Sequence, residues 1–278
     1  MALKDLLVHI DGSKSNSGRL DAAIRLAVEH DAHLAGLYVL PIRNVLPPFT
    51  EAHIPKEVLD AQKEAAREQA AAAEQAFTEA TKRAGLSAEW RAVEGDPAST
   101  LSLHARYVDL LLLGQADDSD NWSLDQGLVE EVVLDAGRPV LMIPYIGAPE
   151  TIGKNVLVAW NGSREAMRAI HEAMPFLERA DSVDVLSINP QKGRAGDGDI
   201  PGADLSLHLA RHGVKARASH VEADDIDAGE LLLSRAADQQ ADLIVMGAYG
   251  HSRYRELVLG GATRQILRSM TVPVLMSH

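Results

Sequence analysis

The sequence contains no cysteine. That excludes disulfides, a thiolate metal site and a cysteine nucleophile, and it suits a cytoplasmic protein. Aromatic residues make up only 4% of the 278 residues, so the core has to be aliphatic. Long apolar runs are missing too. Stretches such as Leu110–Leu113 fall far below the ~20 residues that span a bilayer, and Met-Ala-Leu-Lys-Asp leads straight into a strand pattern without a signal-peptide layout. Positive charge is in deficit, with 27 Lys and Arg against 40 Asp and Glu and a net charge of −13. Such a surface repels nucleic-acid backbone, so neither nucleic acid nor membrane is an expected partner. No Walker A sequence is present, and Ser13 and Ser163 lack a nucleophile-elbow context.

What is present is a duplication. Val108-Asp109-Leu110-Leu111-Leu112-Leu113-Gly114 is echoed by Ala241-Asp242-Leu243-Ile244-Val245-Met246-Gly247, and Pro139-Val140-Leu141-Met142 by Pro273-Val274-Leu275-Met276. The openings match as well: Leu6–Ile10 with Asp11-Gly12-Ser13, against Val156–Trp160 with Asn161-Gly162-Ser163. Self-similarity at this spacing marks a repeated structural unit. The two domains expected are 1–146 and 151–278, joined by Gly147-Ala148-Pro149.

Each half reads as alternating strands and helices. After the first strand, Leu20, Ala23, Ile24, Ala27 and Val28 fall on one helical face, matched by Ala166, Ala169, Ile170, Ala173 and Met174. Pro175 should end or kink the second of these helices. Second strands are expected over His33–Leu40 and Val183–Ile188. Second helices run from near Pro55 to Gly85 and from near Pro201 to Gly213, proline at the start and glycine past the end. Third strands follow at Ala88–Val93 and Lys215–Val221. Apolar strands alternating with helices imply a parallel, doubly wound α/β sheet in each half. In such sheets ligands bind beyond the strand C-termini, where the strand order reverses.

The loops after the fourth strands therefore carry most of the functional signal. In the second half Gly247, Gly250 and Gly260 form a glycine ladder, followed by Gly261, Ala262 and Thr263 at a helix start. Glycines let a ligand approach the backbone closely, and a helix N-terminus offers unpaired N–H groups to an anion. His251, Arg253, Arg255, Arg264 and Arg268 flank this ladder as a basic cluster. The plainer alternative is that these glycines only shape a turn and permit close helix packing, and that each arginine is an ordinary surface charge.

The ladder, its preceding strand and the terminal Val-Pro-Val-Leu run together resemble the universal stress protein family, in two copies over nearly the whole chain. The resemblance implies two five-stranded domains related to the adenine-nucleotide α-hydrolase-like fold. It implies pairing through the last strands, Val140–Ile143 beside Val274–Ser277, as an internal pseudo-dimer that could pair again as a homodimer. It also implies ATP or another adenine nucleotide, with Mg²⁺, as ligand. Ala159, Trp160, Asn161 and Ile188 would then line the adenosine pocket. Gly247, Gly250, Gly260, Gly261 and Thr263 would hold the phosphates, with Arg253 and Arg255 neutralising their charge and Met246 and Ala262 completing the site.

Each half departs from that pattern in its own way. The second has Gly261 where nucleotide binders usually carry Ser or Thr, and Asn161 where they usually carry Asp, a poorer partner for Mg²⁺. The first keeps Asp11, but its ladder reads Gly114, Asp117 and Gly127, with Asp118, Asp120 and Asp125 in the same loop. A like charge at ~4 Å costs a phosphate on the order of 4 kcal/mol at an effective dielectric near 20, more than the roughly 1–3 kcal/mol of one hydrogen bond. Triphosphate is therefore expected only in the second half, the first serving as structural partner or taking another ligand. The related pyrophosphatase loop Ser-Gly-Gly-x-Asp-Ser is absent, which speaks against adenylating chemistry. The expected activity is a binding or regulatory one, with a slow ATPase using Glu256, or a sensor of a non-nucleotide ligand, as alternatives. His208 and His212 lie four apart on a helix, a spacing that can hold zinc but more often marks a solvated face. The Asp-rich loop lacks the Gly and Glu of an EF-hand. The Ala-rich helix Val58–Lys82 either docks a partner or covers the sheet.

Overall fold

A computed structural model describes residues 2–41, 56–120, 123–190, 200–223, 225–249 and 261–278. The first half contains β1 (Asp5–Ile10), α1 (Asn16–His30), β2 (His33–Pro41), α2 (Lys56–Arg83), β3 (Ala88–Gly95), α3 (Pro97–Ala105), β4 (Leu110–Gly114), α4 (Gln126–Asp135) and β5 (Val140–Ile143). The second contains β6 (Asn155–Trp160), α5 (Arg164–Glu172), α6 (Met174–Leu177), β7 (Ser182–Ile188), α7 (Ala203–Arg211), β8 (Ala216–Val221), α8 (Ala228–Asp238), β9 (Leu243–Gly247), α9 (Gly261–Ser269) and β10 (Val274–Ser277).

Local chemistry sets the element ends. Asp96 caps α3 by accepting from the Ser99 N–H at 3.0 Å, with Pro97 in the first turn, and Ser163 caps α5 through the Ala166 N–H at 3.1 Å. α5 ends at Glu172, and Pro175 opens the short, buried helix α6. Gly85 and Gly213, just past α2 and α7, adopt φ of +67° and +80°.

The strands form one ten-stranded sheet in the order β3-β2-β1-β4-β5-β10-β9-β6-β7-β8. All pairings are parallel except β5 with β10, where Val274, Leu275 and Met276 face Met142, Leu141 and Val140. The two five-stranded sheets expected from the repeats are thus continuous. β1, β4, β5, β9 and β10 carry almost wholly buried runs, whereas the edges β3 and β8 alternate between exposed and half-buried residues. On one face of the sheet Leu6, Val8, Ile10, Val156 and Val158 pack with α1, α2, α5, α6 and α7. On the other Leu7, Leu111, Leu157 and Ile244 pack with α3, α4, α8 and α9.

The repeated aspartate before each fourth strand ties that strand to the entry of the first. Asp242 is buried and its carboxylate accepts from Thr151 Oγ1 at 2.6 Å and from the N–H groups of Gly153, Lys154 and Asn155 at 2.9–3.1 Å. Asp109 takes the N–H groups of Lys4 and Asp5 at 2.7 and 3.0 Å. Side chains also cross between the halves. Arg268 Nε donates to Gln126 Oε1 at 2.7 Å, Gln115 Nε2 donates to the Arg268 carbonyl at 2.9 Å, and Arg264 lies 3.3 Å from Glu130.

Candidate functional sites at the two strand-order reversals

Strand order reverses between β1 and β4 and again between β6 and β9, so each half presents a crevice of the kind that holds ligands. In the second half Gly247 ends β9 directly under the first turn of α5, where any Cβ would overlap the Glu165–Ala166 backbone. This glycine is required for helix packing, whatever else it does. Asn161 is exposed, and its Oδ1 accepts from the Ser163 N–H at 3.1 Å in the turn that opens α5.

The other expected residues of that half divide between the two faces of the sheet. Ala159 and Ile188 pack on the α8–α9 side, whereas Trp160 packs on the α5 side. Met246 is a core residue, 6% exposed. Thr263 is buried at the same level and shares the inner stripe of α9 with Ile266 and Leu267, while Gly261 and Ala262 open that helix. Gly250, Arg253, Arg255 and Gly260, with His251 and Glu256, lie outside the described residues. Among the described residues, Arg264 and Arg268 on the outer face of α9 reach Glu130 and Gln126 of the first half. An acid also stands by the α9 N-terminus. Asp227, which caps α8 through the Gly229 N–H at 2.8 Å, comes within 3.5 Å of where a Cβ on Gly261 would lie.

The crevice of the first half is built differently. Arg19, 2% exposed, runs its guanidinium up to Gly114, where a Cβ would collide with Nη1. Nε donates to the His9 carbonyl at 2.7 Å, and Nη2 reaches Asn16 Oδ1 at 3.1 Å and Asp11 Oδ1 at 2.8 Å. The same Asp11 oxygen accepts from the Ser13 N–H at 2.9 Å and from Ser13 Oγ at 2.5 Å. Burial pushes the Asp11 carboxyl up, but Arg19, His9 and the Ser13 bonds outweigh it and leave it below its ordinary value. His9 is buried with Nδ1 3.5 Å from Asp11 Oδ2 and without a hydrogen-bond partner. Its pKa is lowered to about 4, mainly by burial and further by Arg19, against the opposing pull of Asp11.

The acidic loop of this half is engaged internally. Asp120 Oδ2 accepts from the Lys14 N–H at 2.8 Å, Asp125 Oδ1 caps α4 through the Leu128 N–H at 2.9 Å, and Asp117 Oδ1 binds Ser119 through its N–H and hydroxyl. Beside this network lies a cleft of about 430 Å³ walled by Asp11–Ser13, Tyr38 and the α2 residues Gln69, Ala72 and Ala73. Burial and then Asp11 raise the Tyr38 phenol.

Arg19, Tyr38 and Gln69 are not marked by any spacing in the sequence. The available signal was an arginine on the helix beside its apolar face, at the place taken by Glu165 in the second copy. Among the described residues no group of three or more His, Asp or Glu is placed to hold a metal ion. His208 and His212 meet edge to face, their rings 4.9 Å apart. No described helix is long and apolar enough to cross a membrane.

A doubly wound α/β unit used twice in one chain, with a glycine-ended fourth strand beside each strand-order reversal, defines a tandem protein of the doubly wound α/β class. The chain belongs to the Universal stress protein family, whose pattern matches residues 2–144 and 153–278. A universal stress protein of Synechocystis is 28% identical over 171 residues, which is 60% of this chain and 57% of that relative, so the chain spans little more than half of its length. A solved universal stress protein of Archaeoglobus fulgidus superposes with a TM-score of 0.73 at 17% identity, covering 98% of this chain and 95% of the other. A putative universal stress protein of Pseudomonas aeruginosa does so with a TM-score of 0.58 at 16% identity, covering 99% and 93%. These two likenesses show the fold.

Proposed function

We propose that the chain is a non-catalytic stress-response protein of the cytoplasm that holds an adenine nucleotide in its second half, residues 151–278, with the half at 1–146 as its pseudo-dimeric partner. The contrast between the two crevices carries this reading. In the first half a buried guanidinium fills the space beside Gly114, and carboxylates cover the Lys14 and Leu128 N–H groups. In the second half the nearest described atoms to a Cβ on the matching Gly247 would be the backbone of α5. The N-terminal turn of α5 lies over Gly247, and its positive dipole end suits an anion. Phosphates would lie against Gly247, Gly250 and Gly260–Thr263, with Arg253 and Arg255 as counter-charges.

Isothermal titration of the full chain with ATP, with and without Mg²⁺, tests this. Binding is expected and should be lost in Gly250→Asp, which copies the Asp117 of the first half. No heat at millimolar ATP overturns the proposal. Phosphate release above blank would turn it toward a slow ATPase.

A further inference from the structure

We propose that His208 and His212 form an exposed site for one divalent transition-metal ion of the zinc and copper kind, with water in its remaining coordination positions. The site lies on the outer face of α7 and rests on no part of the nucleotide reading.

The spacing sets the two imidazoles one turn apart on a helix whose other side is anchored. Leu205 and Leu209 are buried in the core, whereas His208 and His212 are exposed. The turn that carries them is pinned by the backbone. The His212 N–H donates to the Leu209 carbonyl at 2.9 Å, the Gly213 N–H to the Ala210 carbonyl at 3.0 Å and the Val214 N–H to the Leu209 carbonyl at 3.1 Å. The ring centres stand 4.9 Å apart with their planes at 62°. Two imidazoles on one ion, each with a metal–nitrogen bond of about 2.0–2.1 Å, bring their ring centres to ~5 Å. The pair thus stands at chelating separation without any change of the backbone.

The nitrogens are available. Among the described residues neither imidazole has a hydrogen-bond or ion-pair partner, and each ring touches the other. By contrast His30, His33, His104 and His278 each engage a neighbour through Nδ1. A neutral imidazole suits Zn²⁺, Cu²⁺ or Ni²⁺, whereas Mg²⁺ and Ca²⁺ seek oxygen. Charge close to the pair is mixed. Asp204, exposed one turn before His208, draws a cation, and the exposed Arg211 beside His212 opposes it. The net charge of −13 tips the balance toward the cation. Among the described residues no third histidine or carboxylate completes the set. Water therefore fills the other positions, and the ion exchanges with solvent instead of being built into the fold.

Zinc chloride titrated into the full chain by calorimetry tests this, with the natural chain and its variants side by side. His208→Ala combined with His212→Ala is expected to remove one bound zinc ion. Either single substitution should weaken that ion roughly tenfold or more, because the second imidazole binds at high effective concentration. His212→Ala combined with Ala210→His keeps two histidines on α7 but points them apart, and it should bind as weakly as the single variants. These positions are exposed, so thermal melts without zinc should match that of the natural chain. The proposal is overturned if the double variant binds zinc as the natural chain does, or if the rearranged pair binds as tightly as the original one.

Discussion

The guanidinium of Arg19 occupies the space that any side chain on Gly114 would need. The first glycine of the damaged ladder therefore serves an arginine of its own chain. Gly114→Ala must displace a buried charge from its partners or strain the end of β4, and either route costs about 3 kcal/mol. Gly127→Ala is the control. Its Cβ would stand 3.2 Å from the Asp125 carboxylate on an exposed helical residue, so its effect should stay within ~0.5 kcal/mol. Urea denaturation of the two variants checks the difference.

His9 makes the fold acid-sensitive well above the carboxylate range. Its folded pKa, lowered to about 4 from 6.5, means that the unfolded chain binds the extra proton first as pH falls. The stabilisation is complete above pH 6.5 and is lost as pH drops toward 4, by about 3 kcal/mol in all. Asp11 has the same sign but acts lower. Its depressed carboxyl contributes above the unfolded value near 4 and fades as pH falls through the folded one. Urea midpoints at pH 7, 5.5 and 4 should decline in the natural chain, and the decline between 7 and 5.5 should be smaller in His9→Leu, the remainder coming from His30 and His104, which burial also holds below their ordinary value.

The two strand-entry aspartates should differ in weight. Asp242 is buried and accepts four hydrogen bonds, Asp109 is half-buried and accepts two. Asp242→Ala is expected to cost about 2–4 kcal/mol and Asp109→Ala about 1 kcal/mol. Equal costs in denaturant titrations would show that the extra bonds to Thr151 and Gly153 contribute nothing.

Arg264 should leave nucleotide affinity alone. Its contact is Glu130 of the other half, a half-exposed pair whose coupling in a double-mutant cycle should be about 0.2–1 kcal/mol and shrink with salt. Arg264→Ala is expected to change ATP binding less than twofold, whereas a tenfold loss would return this arginine to the ladder.

Much of the fold could be read in the residues because each element had its own local cause. The repeated Val-Asp/Ala-Asp runs marked the fourth strands, Asp96-Pro97 opened α3, and Pro175 closed α5. The functional details depended on facts that spacing does not encode. The loop between the first strand and its helix is shorter in the second half, where Gly162 and Ser163 lead straight into Arg164. That difference places Glu165 and Ala166, and no arginine, over the fourth strand. The acids of the 117–125 loop read as repulsion for an incoming phosphate, and three of them, Asp117, Asp120 and Asp125, also bind their neighbours' N–H groups or hydroxyls. Asp117-x-Ser119 and Asp125-x-x-Leu128 were visible signs of that. The direction of Arg264 and Arg268 depended on which face of α9 meets the other half, and no single-half reading supplies it.

The position of β10 has a consequence for how the chain is made. This strand comes after all the others in chain order, yet it lies in the middle of the sheet, between β5 and β9. A ribosome that has finished β5 must add roughly 130 more residues before β10 exists, on the order of ten seconds of synthesis. Throughout that time an already folded first half would present the apolar β5 as an open edge, the template to which other strands add. Nascent chains stalled between β5 and β10 are therefore the form of this protein most exposed to aggregation, and their rescue by a chaperone is where its yield in the cell would be decided.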